Sequence, residues 1–238
     1  MATINRGEQI YEGKAKILYL TNNPKLLIQY FKDDATAFNA AKKGTINGKG
    51  VINNKISSTI FKFLEGRGIK THFVDLLSDR EMLVKHVKIF PLEVVIRNIT
   101  AGSVCKRLGL DEGVVLEKPL TEFFYKSDSL NDPLVNRDHI IAFDWATPEE
   151  FQYMWKEALR VNEALKEFWK EKGVKLVDFK LEFGRDLEGN LVLADEVSPD
   201  TCRLWDAKTN QKLDKDRFRF DLGAVEESYK NLMERVAQ

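Results

Sequence analysis

The chain has 238 residues, 43% of them hydrophobic, with 37 acidic and 37 basic side chains. Such a balance fits a soluble globular protein with one large core or two modest domains, and leaves no net field to attract nucleic acid or an anionic membrane. No apolar run is long enough to span a bilayer, and the opening MATINRGEQIYEGKAK lacks the hydrophobic segment of a secretory signal. Cys105 and Cys202 make neither a disulfide framework nor a zinc site, and His72, His86 and His139 stand in unrelated contexts, so each reads as structural. A reducing, cytoplasmic setting is the expectation.

The N-terminal part reads as strands. QIYEGKAKILYL (9–20) and KLLIQYF (25–31) are β-rich runs joined by the turn cluster Thr21-Asn22-Asn23-Pro24. Alternation along the first strand puts Lys14 and Lys16 on one face, with Gly13 and Ala15 opposite. Two readings of that pair stand. Lysines beside a glycine suit the phosphates of a nucleotide, and lysines on an edge strand also guard against aggregation. The following KDDATAFNAAKKGTINGKG (32–50) reads as flexible, and residues 33–50 are expected to form a lid ordered by nucleotide. Gly48-Lys49-Gly50 lacks the spacing of a Walker A loop, but offers backbone donors to a substrate.

An amphipathic helix follows over 51–68, with Ile52, Ile56, Ile60 and Phe63 as its buried stripe and Gly66 or Gly68 as its end. Strands are expected near 69–77, 82–89 and 92–99, with Pro91 separating the last two. In VVIRNITAGSVCKRLGL (94–110), Thr100 is the expected cap of a short helix closed by Gly109. Arg97, Ser103 and Arg107, with Lys106 nearby, can grip a phosphate or carboxylate there. A capped surface helix with basic residues near its C-terminus fits the same letters. Residues 117–139 read as a long irregular loop. Thr147-Pro148-Glu149-Glu150 is a capping box opening a helix to about Gly173, buried along Phe151, Met154, Ala158, Val161, Leu165, Phe168 and Trp169. A final helix spans about 224–237.

The chemistry concentrates in VKLVDFKLEFG (174–184) and NLVLADEVSPD (190–200). In the first strand Lys175, Val177, Phe179, Leu181 and Phe183 share one face, while Asp178, Lys180 and Glu182 project together from the other, beside Val174 and Leu176. A two-residue loop at Glu188-Gly189 would set Glu182 directly opposite Asp195. Facing carboxylates destabilise a ladder unless a cation lies between them, and oxygen-only ligands suit Mg²⁺. A solvated charged face balanced by Lys180 and Arg185 is the alternative, and a loop one residue longer would separate the two acids. The whole pattern is α+β, with a strand-rich N-terminal lobe (1–88) and a larger mixed α/β lobe (89–238) around a cleft. Lysines early and paired acids late are the parts of a nucleotide-Mg²⁺ phosphoryl-transfer site, without separating a kinase from a ligase.

Taken in order, YEGKAKILY, KGVINNKIS, VVIRNITAGSVCKRLG, KSDSLNDP, VDFKLEFGRD and DEVSPDTCRLWD closely resemble the SAICAR synthetase family, from Tyr11 to about Asp221. The resemblance implies a fold related to ATP-grasp and kinase-like nucleotide binders. It implies a ligase that joins carboxyaminoimidazole ribotide (CAIR) to L-aspartate with ATP and Mg²⁺, through an acyl phosphate, and that works as a homodimer. It also implies that Lys14 and Lys16 contact ATP phosphates and that the adenine lies against Val87, Lys88 and Ile89. Glu182 and Asp195 would hold Mg²⁺. Arg97, Ser103 and Arg203 would bind the ribotide phosphate, with Asp132 and Lys180 near its imidazole and carboxylate. Asp178 joins Lys180 as a catalytic candidate, and Asp200 joins the substrate-binding group. Aspartate needs cations for two carboxylates, and the motifs do not single them out.

Overall fold

The computed structural model describes residues 3–37 and 42–238. Positions 38–41 of the expected lid, and the first two residues, lie outside the described residues. The chain begins with β1 (Arg6–Glu12), β2 (Lys16–Thr21), β3 (Leu26–Phe31), β4 (Asp34–Ala37), β5 (Lys42–Thr45), α1 (Lys49–Glu65), β6 (Phe73–Leu76) and β7 (Glu81–Lys85). Five of these strands form an antiparallel sheet in the order β1-β2-β3-β7-β6, while β4 and β5 pair only with each other among the described residues. Leu27, Phe31, Met82 and Val84 meet Ile52, Ile56 and Ile60 of α1 in the main core, with Phe63 partly buried beside them.

The expected single strand 9–20 is a hairpin. Gly13 donates its N–H to the Lys16 carbonyl at 2.8 Å, and Glu12 faces Ile17. Gly13-Lys14-Ala15 lacks the branched and aromatic residues that hold a pleat, and a Cβ on Gly13 would lie 3.0 Å from the Tyr11 ring. Lys14 therefore sits in the turn rather than on a strand face with Lys16.

Gly48-Lys49-Gly50 is also put to a different use. The N–H groups of Gly48 and Gly50 donate to the Asp33 carboxylate at 3.2 and 2.8 Å, and Arg80 grips the same carboxylate with two bonds of 2.8 Å. Asp33 thus supplies the cap that Gly48 cannot, at the positive end of the α1 dipole. Gly50 is obligatory there, because a Cβ would fall 2.4 Å from the Phe31 carbonyl oxygen.

The chain leaves the first sheet after Lys85 and joins a second within two residues. There follow β8 (Val87–Ile89), β9 (Leu92–Ile99), α2 (Ser103–Leu108), β10 (Val115–Tyr125), a 3-10 turn at Asp128–Leu130, β11 (Leu134–Val135), α3 (Arg137–Ala142) and α4 (Pro148–Glu171). The C-terminal part adds β12 (Val174–Asp186), β13 (Leu191–Ala194), β14 (Cys202–Asp206), α5 (Asp216–Arg219) and α6 (Val225–Ala237). Much of the expected loop 117–139 is strand. Pro119 is accommodated where the β9–β10 register shifts, between Val115 and Leu120. Gly102 rather than Thr100 precedes α2, and the Thr100 hydroxyl donates to the Asp111 carbonyl at 2.7 Å. The capping box of α4 forms as expected, and its apolar stripe is buried.

β12 is the hub of the second sheet. Its first half lies between β9 and β14, and its second half between β13 and β8. The two sheets are stitched where Thr71 bridges Leu193, with His72 N–H on the Leu193 carbonyl at 2.8 Å and Leu193 N–H on the Lys70 carbonyl at 3.0 Å. His72 is buried, His86 contacts the Pro24 carbonyl and His139 closes the α3 capping box, so each histidine has a structural place. Among the described residues no helix is long and apolar enough to cross a membrane.

The Asp33 clamp has a pH signature. Its bond to Arg80, with the two backbone donors, holds the carboxyl down at about 2 against an ordinary 3.8. A carboxyl held low in the folded state contributes fully above its unfolded value, and that contribution fades as pH falls toward the folded one. Asp33→Asn should cost about 1–3 kcal/mol at pH 7 in denaturant unfolding. The gap from the parent should shrink as pH drops from 3.8 toward about 2; equal stability at pH 7 would contradict the clamp.

Candidate active site

A bulge in β12 sorts its side chains. Leu176 faces Leu204 and Asp178 faces Arg203, so Val177 is an extra residue on the β12 side. The bulge switches parity: Val174 and Leu176 join Phe179, Leu181 and Phe183 in the main core, while Val177 packs with Ile99, Ala101 and Trp205. Val174 and Leu176 therefore do not flank the charged face, contrary to the alternation read from sequence. Asp178, Lys180 and Glu182 do share a side, and they line the cleft.

The β12–β13 loop is one residue longer than expected. Asp186 N–H bonds the Asn190 carbonyl at 3.0 Å, Gly189 takes φ 83°, and Glu182 consequently faces Ala194, not Asp195. Parity alone would send Asp195 to the opposite face. Instead Asp195 leaves the strand in the left-handed region, φ 64°, and its carboxylate turns back. Lys180 Nζ then meets Glu182 Oε1 at 2.6 Å and Asp195 Oδ2 at 3.2 Å. The two acids converge by a kink rather than across a ladder.

Three lysines hold four carboxylates in a cleft of about 1260 Å³. Lys180 also reaches Glu93 at 3.2 Å, Lys16 bonds Asp195 and lies 3.0 Å from Glu196, and Lys126 bonds the second oxygen of Glu182. Burial alone would push the Asp195 carboxyl up, but Lys16 and Lys180 overcome it and hold it well below the usual range. Burial likewise opposes the Lys180 charge, and Glu182, Asp195 and Glu93 reverse that, so Lys180 stays protonated. Lys14, in the β1–β2 turn, reaches Asp128 across the cleft at 2.6 Å. Asp132, at φ 46°, accepts the Ser127 N–H at 2.8 Å and lines the same space. Val87, Lys88 and Ile89 form β8 against β12, and of the three only Ile89 reaches the cleft wall. Glu93 and Lys126 were missed from sequence. Glu93 was legible in principle, because it shares strand parity with Arg97 two positions beyond Val95.

A cavity of about 350 Å³ continues from the cleft, sharing Glu93, Lys180, Asp200 and Lys215 as its wall. Arg97, Arg203 and Arg219 line it together with Lys14, Lys180 and Lys215. Asp178 is bound by Arg97 Nη1 at 2.6 Å and Arg203 Nη1 at 2.8 Å, and Ser103 Oγ lies 3.1 Å from both Arg97 and Arg107. Glu122 bonds Arg97 at 2.7 Å and also Arg107, while Asp216 bonds Arg203 at 2.8 Å and Arg219 at 2.6 Å. The structure thus brings Arg97, Ser103 and Arg203 together, with Asp178 as the buried brace between two of them. Gly102 makes room: a Cβ there would fall 2.4 Å from Arg203 Nη2. The Asp200 side chain is buried, bound by Lys49 at 2.8 Å, Tyr229 at 2.6 Å and Lys215 at 3.5 Å. Burial, helped by the like charge of Lys49, lowers the Lys215 proton affinity despite Asp200. Lys215 and Arg219 were not singled out from sequence, since neither belongs to a recognisable motif. A separate groove of about 1150 Å³, bounded by Asn98, Glu163 and Lys170, gathers none of the candidate site residues. Cys202 is buried with its thiol pushed up by burial, which makes it a poor nucleophile.

No group of three or more His, Cys, Asp or Glu side chains is arranged to hold a metal among the described residues. Glu182 and Asp195 instead offer two carboxylates with oxygen donors alone. That set fits a hard ion whose remaining positions are filled by water and phosphate.

A family model described as SAICAR synthetase matches residues 9–236. The chain is 57% identical over 233 residues to the phosphoribosylaminoimidazole-succinocarboxamide synthase of Persephonella marina, with 98% of each covered. It superposes on the crystal structure of the enzyme of that name from Ehrlichia chaffeensis with a TM-score of 0.94 and 50% identity, over 97% of this chain and 98% of that one. A SAICAR synthetase solved in complex with ADP matches with a TM-score of 0.93 and 49% identity, over 96% of this chain and 97% of its own.

Proposed function

The chain belongs to the SAICAR synthetase family, and from that premise we propose that it joins CAIR to L-aspartate, consuming ATP and releasing ADP, phosphate and SAICAR through an acyl phosphate. One observation carries the reading: the lysine-bound acids and the guanidinium cavity share a wall at Lys180, so a nucleotide and an anionic ribotide would meet there. The ADP held by a relative 49% identical to this chain supports a nucleotide as one of the ligands, and the larger space has the lysines to receive its phosphates.

In this reading Lys14 and Lys16, with Lys126, neutralise the ATP phosphates, and backbone groups around Val87, Lys88 and Ile89 receive the adenine. Glu182 and Asp195 hold Mg²⁺, which would neutralise charge on the phosphoryl oxygens. Arg97, Ser103 and Arg203, flanked by Arg107, take the ribotide phosphate, with Asp178 fixing the geometry of two guanidiniums. Asp132 and Lys180 address the imidazole and its carboxylate. Asp200 keeps Lys215 in place, and Lys215 with Arg219 offers cations to the incoming aspartate. Two lobes, 1–88 and 89–238, form an ATP-grasp-like or kinase-like cleft. The homodimer and the cytoplasmic setting belong to the same proposal; exposed Leu108, Leu110, Val114 and Val115 are apolar surface that a second copy would cover.

The chemistry follows from a poor leaving group. A carboxylate would have to expel oxide. One CAIR carboxylate oxygen therefore attacks the γ-phosphorus, and ADP departs. The aspartate amine then attacks the acyl carbon and loses a proton, and phosphate leaves carrying the oxygen from CAIR. Lys180 orients the carboxylate, while Lys14, Lys16 and Lys126, turned toward the phosphates, stabilise charge on the phosphoryl group.

ADP release measured with CAIR, ATP and Mg²⁺ should depend on L-aspartate and yield the succinocarboxamide. Release of ADP with a phosphorylated product and no need for aspartate would instead mean a kinase. Glu182→Gln should lower Mg²⁺-dependent turnover by about a hundredfold or more while leaving the melting temperature within a few degrees. Unchanged turnover would remove Glu182 from the metal site.

A further inference from the structure

Gln29 is an amide at a position where the strand pattern calls for an apolar side chain. In β3 the neighbours of the same parity, Leu27 and Phe31, belong to the main core, and Gln29 itself is only 4% exposed. It pairs with Leu18 on one side and Met82 on the other. A buried amide in such company is costly unless it is bonded. Its Nε2 donates to the carbonyl oxygen of Asp195 at 3.2 Å.

That carbonyl belongs to the residue whose left-handed backbone reverses the strand parity. Relaxation of Asp195 to an extended conformation would return its carboxylate to the face away from Lys180 and Glu182. The first sheet holds Asp195 at two points: Lys16 binds the carboxylate and Gln29 binds the carbonyl. These two contacts differ in one respect. Lys16 lines the cleft, where phosphates would compete for it, whereas Gln29 is buried and is not part of the cleft wall.

We infer that Gln29 is a positioning residue, which keeps the Asp195 kink in place so that its carboxylate remains aimed beside Glu182 when a nucleotide draws Lys16 away. The inference rests on the proposed role of Asp195 at the nucleotide-metal end of the cleft, and its test can fail separately from that role.

Gln29→Met keeps the length of the side chain, suits its apolar lining and removes the donor; Gln29→Leu serves as a second variant should Met not pack. Titration of the full-length protein with Mn²⁺ in saturating ADP, followed by calorimetry, should show the dissociation constant raised about tenfold or more, the range for loss of a group that orients a metal ligand. Melting temperature should stay within a few degrees, and the KM for ATP should rise more than kcat falls. An unchanged Mn²⁺ affinity in a folded variant overturns the inference, as does a weakening that merely tracks lost stability. If the parent protein binds Mn²⁺-ADP but shows no aspartate-dependent turnover, the ligase reading fails while the comparison of affinities still judges Gln29.

Discussion

Glu93, Glu182, Asp195 and Glu196 face one cleft, and carboxylates so close repel each other strongly unless cations lie among them. Lys16, Lys126 and Lys180 supply those cations, each from a different stretch of chain. Much of the local architecture serves this arrangement. The β12 hub carries Lys180 and Glu182, β9 brings Glu93 alongside, and the β1–β2 hairpin delivers Lys16 from the other sheet. Charge that is paired but incompletely buried, with one carboxylate more than there are lysines, is suited to exchange of partners: a polyanionic nucleotide with its cation can take over from the ion pairs.

The guanidinium end is built on another principle. Asp178, Glu122 and Asp216 hold Arg97, Arg107, Arg203 and Arg219 by their own bonds, so these cations are braced before any anion arrives. Rigid donors lose less freedom on binding, which suits recognition of a phosphate. The Asp33 clamp on α1 and the stitch of Thr71 to Leu193 tie the elements around the cleft to the common core.

Much of this was legible from residue order. The helix cap at Thr147, the buried stripes of α1 and α4, and the shared face of Asp178, Lys180 and Glu182 follow from local periodicity and capping chemistry, which tertiary contacts rarely override. What could not be read turned on single-residue slips. The Val177 bulge moved Val174 and Leu176 into the core, and a three-residue rather than two-residue hairpin loop displaced Asp195 from the position opposite Glu182. Their convergence then depends on the left-handed Asp195, a tertiary effect with no local signature. Lys126, Lys215 and Arg219 escaped for a related reason: long cationic side chains far apart in sequence meet only once the sheets are assembled. Gly48 and Gly50 were read as donors to a ligand because nothing nearby announced that Asp33 would claim them.

In the proposed reaction a carboxylate is activated by phosphoryl transfer before the amine attacks it. The most direct test is isotopic. CAIR labelled with ¹⁸O in its carboxylate should pass one labelled oxygen to inorganic phosphate for each succinocarboxamide formed. Product formation with unlabelled phosphate would contradict the acyl phosphate, and with it the roles given to the lysines around Glu182 and Asp195.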